Sequence, residues 1–152
     1  MGTTREFAPA RTKEKKRHTP TPVQVLARHA VEAALAKKAT DLIVLDMRAV
    51  SGVADFFVIC NGDSDLQVKA IYEAIEDRIK DQCDERPWHR EGQQHRQWVL
   101  LDYVDLVVHV FSPEKRAFYD LERLWGDAPI EQVPPTVSSA ADIALLQDPS
   151  AT

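Results

Sequence analysis

The stretch that decides the fold is Trp98-Val99-Leu100-Leu101-Asp102-Tyr103-Val104-Asp105-Leu106-Val107-Val108-His109-Val110-Phe111. Residues 98–101 and 106–111 are of strand length and rich in branched and aromatic side chains. The polar break between them predicts an antiparallel hairpin that turns at Tyr103-Val104. Ser112-Pro113 then opens a helix, with serine as N-cap and proline at the first helical position. Helical spacing puts Phe118, Leu121 and Trp125 on one side, expected to face the core. Arg116, Tyr119, Asp120 and Arg123 fall on the other, expected to face solvent, and Gly126 stops the helix.

Upstream, residues 1–20 are polar, charged and punctuated by Pro9 and Pro20, which predicts a disordered basic tail. Order is expected from Thr21, a good N-cap followed by Pro22 and by Gln24 in a capping-box pattern. Val23, Leu26, Ala27, Ala30, Val31, Ala34 and Leu35 keep helical spacing through about Lys38. Residues 42–47 and 56–60 are apolar at consecutive positions, as expected of strands covered on both faces. Ser64 with Gln67 predicts a capping box on a helix whose core stripe is Val68, Ile71, Ile75 and Ile79 and which ends near Cys83. Pro87-Trp88-His89 predicts a short edge strand. Residues 127–152 carry four prolines and read as a flexible acidic tail, with a transient helix at 140–146. The expected order is α, β, β, α, β, β, β, α: a mixed β-sheet with flanking helices, one α/β domain over residues 21–126.

The net charge of −5 is unevenly placed, with +4 over residues 1–18, −5 over 19–126 and −4 over 127–152. The central domain is therefore not a nucleic-acid binder by overall charge, whereas the basic N-terminal run keeps open an RNA-binding module as an alternative. No apolar run approaches the roughly 20 residues of a membrane helix, and no signal-peptide core is expected. Cys60 and Cys83 form no CxxC, so a reducing cytoplasm is the expected location.

Catalytic constellations are missing. His89, Glu91 and His95 have a spacing that matches no metal motif with a mechanical rationale, so no metal or other cofactor is expected. His109, among valines and Phe111, reads as a core histidine satisfied by hydrogen bonds. Asn61-Gly62-Asp63-Ser64-Asp65 enters a helix as a phosphate cradle would, but its two aspartates would repel the anion, and capping is the preferred reading. A mixed sheet with a Gly-x-Ser turn suggests a nucleotidyltransferase as a second alternative. However, Glu73, Glu76 and Asp77 point to solvent by helical spacing, and no strand carries paired carboxylates. The chain is therefore expected not to be an enzyme. Trp98, Tyr119, Arg116 and Arg123 are instead the residue types that anchor protein interfaces.

The block from Trp98 to Phe111, the run from Arg116 to Trp125, residues 41–46 and 54–59, the Gly62-x-Ser64 turn and Glu91-Gly92 together resemble the ribosomal silencing factor family (Iojap-like, RsfS). The likeness extends over roughly residues 22–128. It implies a truncated nucleotidyltransferase-like fold without catalysis. It further implies binding to the large ribosomal subunit through ribosomal protein number fourteen (uL14), a steric block on small-subunit joining, and repression of translation. By resemblance the docking residues are Trp98, Asp102, Arg116, Tyr119 and Glu122, and the free protein is expected to form a homodimer. Two positions depart from the family pattern: Val104, where glycine is usual, and Arg96, where a small residue is usual.

Overall fold

The computed structural model describes residues 20–147. The tail predicted over residues 1–20 and its RNA-binding alternative therefore lie almost entirely outside the described residues. The elements are α1 (Val23–Ala36), β1 (Thr40–Asp46), β2 (Phe56–Asn61), α2 (Asp65–Cys83), β3 (His89–Glu91), β4 (Trp98–Asp102), β5 (Leu106–Phe111), α3 (Pro113–Tyr119), α4 (Leu121–Leu124) and β6 (Ile130–Gln132). They build one six-stranded sheet in the order β3-β4-β5-β2-β1-β6. Only β2 and β5 run parallel; every other pair is antiparallel, so the sheet is mixed.

Strand alternation sorts the side chains into two layers. Leu42 and Val44, Phe56, Val58 and Cys60, Val99 and Leu101, and Leu106, Val108 and Val110 face α1 and α2 and form the larger core. The alanine stripe of α1 (Ala27, Ala30 and Ala34, all fully buried) lets that helix lie close to its neighbours. Ile43, Leu45, Phe57, Ile59, Val107 and Phe111 face the other way and form a second core, closed by Leu121 of α4 and edged by the half-buried Trp98, Leu100 and Trp125. This second layer is covered only by short elements, and that leaves its edge accessible.

Local chemistry sets the helix ends. The Ser64 hydroxyl accepts from the Gln67 N–H at 3.1 Å, and the Gln67 side-chain oxygen accepts from the Asp63 N–H. The Gln67 amide nitrogen also donates to the carbonyls of Lys37 and Lys38, tying the end of α1 to the start of α2. Ser112 caps α3 through the Lys115 N–H, with Pro113 at the first position. The start of α1 differs from expectation. Pro22 holds the cap position without a side-chain bond, and the Thr21 N–H donates instead to the buried Glu85 at 3.1 Å.

Two larger corrections follow. The domain does not end at residue 126. β6 pairs antiparallel with β1, and two 3₁₀ turns (Val137–Asp142 and Ala144–Leu146) bury Ala140, Ile143 and Leu146 against the larger core. Glu131 accepts from the N–H groups of Ala144 and Leu145, and Arg28 donates to the Leu146 carbonyl at 2.7 Å. The prolines end short elements here; they do not keep the segment off the domain. Second, the helix after Ser112 is not continuous. Asp120 sits at φ 47°, a left-handed conformation that aspartate tolerates, so it ends α3 and restarts the chain as α4.

The β4–β5 turn has its own strain. The Asp105 N–H bonds back to the Tyr103 carbonyl, two residues earlier, and Val104 between them has φ 77°. That is a γ-turn with positive φ, stabilised by Asp102, whose Oδ1 accepts from the Val104 N–H at 2.7 Å. A β-branched residue in this conformation costs of the order of 1–2 kcal/mol, more than the flexibility that glycine would add. Val104→Gly is expected to raise stability by about 1 kcal/mol, read as a higher urea midpoint at unchanged m-value. A lower midpoint would count against the strained turn.

Candidate docking face

The face of the sheet turned away from α1 and α2 carries a chain of touching aromatic rings. Trp98 opens β4, and its ring stacks on Phe111 of β5 at 4.9 Å between centroids. His109, also on β5, lies 5.9 Å from Trp98 and 4.7 Å from Phe57. Tyr119, the last residue of α3, closes on Trp98 at 4.5 Å, and Phe118 meets Tyr119 edge to face at 5.0 Å. The inner end of this row is buried and the outer end is exposed: Tyr119 is 43% exposed, Phe118 75% and Leu124, on the adjacent α4, 68%. Gly92 keeps β4 in place at Trp98. It has φ 88°, and a Cβ there would stand 2.0 Å from the Trp98 carbonyl oxygen.

Trp98 is fixed by one directional bond. Its indole N–H donates to His109 Nδ1 at 3.1 Å, so the neutral ring carries its proton on Nε2. Burial and then the nearby Arg116 guanidinium push the His109 pKa down to about 3, which keeps the ring neutral and Nδ1 available as an acceptor. The expectation of a core histidine therefore holds for its burial but only half for its hydrogen bonds: Nδ1 is engaged, whereas the buried Nε2 has no hydrogen-bond partner.

The five candidate docking residues divide by their surroundings. Trp98 and Tyr119 are in ring contact. Asp102, half-buried, caps the γ-turn at the far end of β4. Arg116 was expected on the outer helix face, and the structure overturns this: it is only 8% exposed. Its Nε and Nη2 both donate to Glu122 Oε2, at 3.1 and 3.0 Å, and its Nη1 donates to Asn61 Oδ1 at 2.8 Å. A guanidinium with three hydrogen bonds and an ionic partner can be buried, whereas apolar periodicity counts it only as polar. Phe118 was expected in the core and is instead the most exposed ring of the row. Phe118 and Leu124 are thus the surface residues that sequence reasoning missed; the usable signal was Phe118 next to Tyr119, ahead of an aspartate able to break the helix.

The other constellations do not assemble. His89 pairs with Glu91 at 2.7 Å on the exposed edge strand, away from any third ligand, and Glu76 pairs with Arg90. Among the described residues, no group of three or more histidines, cysteines and carboxylates is placed to hold a metal ion. None of the described helices is long and apolar enough to cross a membrane.

Fold and surface together define a small mixed α/β domain whose second sheet face ends in a ladder of exposed rings. Residues 19–149 match the family model described as ribosomal silencing factor during starvation. The chain belongs to the ribosomal silencing factor family. It is 50% identical over 97 residues to the ribosomal silencing factor of Bacillus subtilis, covering 62% of this chain and 79% of that protein. It is 43% identical over 115 residues to that of Halalkalibacterium halodurans, covering 76% and 97%. Among solved structures, it resembles a Chromobacterium violaceum protein with a TM-score of 0.67 at 34% identity, covering 70% of this chain and 88% of that one.

Proposed function

We propose that this protein silences translation in the cytoplasm by docking on the large ribosomal subunit through uL14 and sterically blocking the small subunit. The observation that carries this reading is the exposed row Phe118–Tyr119–Trp98, backed by a rigid second core, in a chain of the ribosomal silencing factor family. Rings that are exposed at one end and anchored at the other lose little side-chain freedom on binding, which favours them as interface anchors. Tyr119, Phe118 and Leu124 supply the apolar contact beside Trp98. The action requires occupancy rather than turnover, and so no cofactor. The same exposed row provides the surface on which free copies pair as a homodimer, and ribosome docking competes with that pairing.

The test is pull-down of purified large-subunit proteins with the full chain, with uL14 present and then omitted. Capture of uL14 alone is the expected result. Failure to capture it while whole large subunits still bind would move the docking site to another ribosomal component.

A further inference from the structure

We propose that Arg116 is a positioning residue: with Glu122 and Asn61 it clamps the α3–α4 elbow so that Phe118 and Tyr119 are presented beside Trp98. It does not itself touch the partner. This rests on the docking function proposed above and assigns a different task to two of the residues implied in it.

α3 has seven residues, too few to hold a helix by itself. A helix of this length normally rests on an apolar side chain, yet the one buried residue of α3 is Arg116. Its guanidinium is the fastening. Nη1 reaches Asn61 at the end of β2, and Nε and Nη2 reach Glu122 on α4, so one side chain joins the sheet, α3 and α4. Its backbone takes part as well, since the Arg116 carbonyl accepts from the Asp120 N–H at 3.0 Å and closes α3 at the left-handed residue. Phe118 and Tyr119 lie between these two fastenings. Asn61 is itself steadied by Asp41 through a 3.4 Å bond. The guanidinium is buried, with three of its five N–H donors bonded within the chain, and at 8% exposure it offers a partner little surface.

The experiment uses the full chain and purified large ribosomal subunits, with nuclear Overhauser contacts between the Trp98 and Tyr119 rings measured on the free protein. Arg116→Met keeps the length of the side chain and removes its donors. The ring contacts should vanish, and affinity for the subunit should fall by about tenfold or more. In a Phe118→Ala/Tyr119→Ala background the same substitution should cost less than about twofold, because both rings that it positions are already gone. Glu122→Gln retains an acceptor for Arg116 and should keep both the ring contacts and the affinity within about twofold. It also guards against a misfolded Arg116→Met.

Persistent ring contacts in Arg116→Met, or a loss that multiplies independently with that of Phe118→Ala/Tyr119→Ala, would overturn the proposal. So would a tenfold loss in Glu122→Gln with the ring contacts intact, since Glu122 would then meet the partner directly. If the wild-type chain did not bind large subunits, the docking function would fail, while the ring contacts of the free variants would still decide the positioning role.

Discussion

Tyr119→Ala is expected to weaken binding to the large ribosomal subunit by about 2 kcal/mol or more, roughly thirtyfold, with little change in the stability of the free protein. The asymmetry follows from where the ring lies. Tyr119 is 43% exposed and packs on Trp98 and Phe118 at the surface, so its loss opens no cavity in either core. On the proposed interface it becomes fully desolvated, and truncation there removes the burial of a whole aromatic ring. Trp98→Ala is a poorer probe, because it also breaks the bond to His109 and the stack on Phe111. Leu66→Ala is the matched control. Leu66 is 76% exposed near the start of α2, on the covered side of the sheet, and should bind as wild type does. Equal losses from Tyr119→Ala and Leu66→Ala would mean that the aromatic row is not the docking site.

Acidification is expected to destabilise the fold steeply, and His109 is the main reason. In the native chain its pKa is held down to about 3, by burial first and Arg116 second, whereas the unfolded chain titrates near 6.5. Between those values the unfolded state binds more protons than the native one. The stabilisation is therefore complete above about pH 6.5 and declines as pH falls towards 3, by more than about 1 kcal/mol per unit in the steepest part. Asp46, held low chiefly by its hydrogen bond to Arg48, adds to the loss only below the ordinary carboxylate range. Asp55 is raised by burial and by Asp105 and works in the opposite direction. His109→Asn separates these contributions, because the amide oxygen replaces Nδ1 as acceptor for Trp98 but does not titrate. Urea midpoints measured between pH 6.5 and 4.5 should fall steeply for wild type and much less for the variant. Parallel slopes would remove His109 from the account.

The scaffold was readable because its signals are local and repeated. Two apolar runs of strand length around a polar break mark the hairpin at residues 98–111, and Ser64 with Gln67 and Ser112 with Pro113 mark two helix starts through bonds that the structure contains. The C-terminal segment was read as a tail because its apolar run, Ile143-Ala144-Leu145-Leu146, is short and lies between prolines and acidic residues. The burial of Ile143 and Leu146 depends on β6 pairing with β1 and on Glu131 folding back onto Ala144 and Leu145. The orientation of α3 was missed for a different reason. Its single buried residue is a charged one, and only Asn61, more than fifty residues earlier, together with Glu122 makes that burial affordable. Asp120 then changes the phase of everything after it, so a single helical wheel drawn through 113–125 cannot assign both halves. Trp98 and Tyr119 were legible as interface types from their chemistry. The exposure of Phe118 was not, because it follows from the elbow.

On the proposed mechanism, occupancy of this face keeps the two ribosomal subunits apart. The direct measurement is light scattering of purified large and small subunits mixed at a magnesium concentration that favours joining, with the full chain added at saturation. Joined ribosomes should fail to form with wild type and should form normally with Tyr119→Ala at the same concentration. Undiminished joining while the wild-type chain is demonstrably bound to the large subunit would contradict that mechanism.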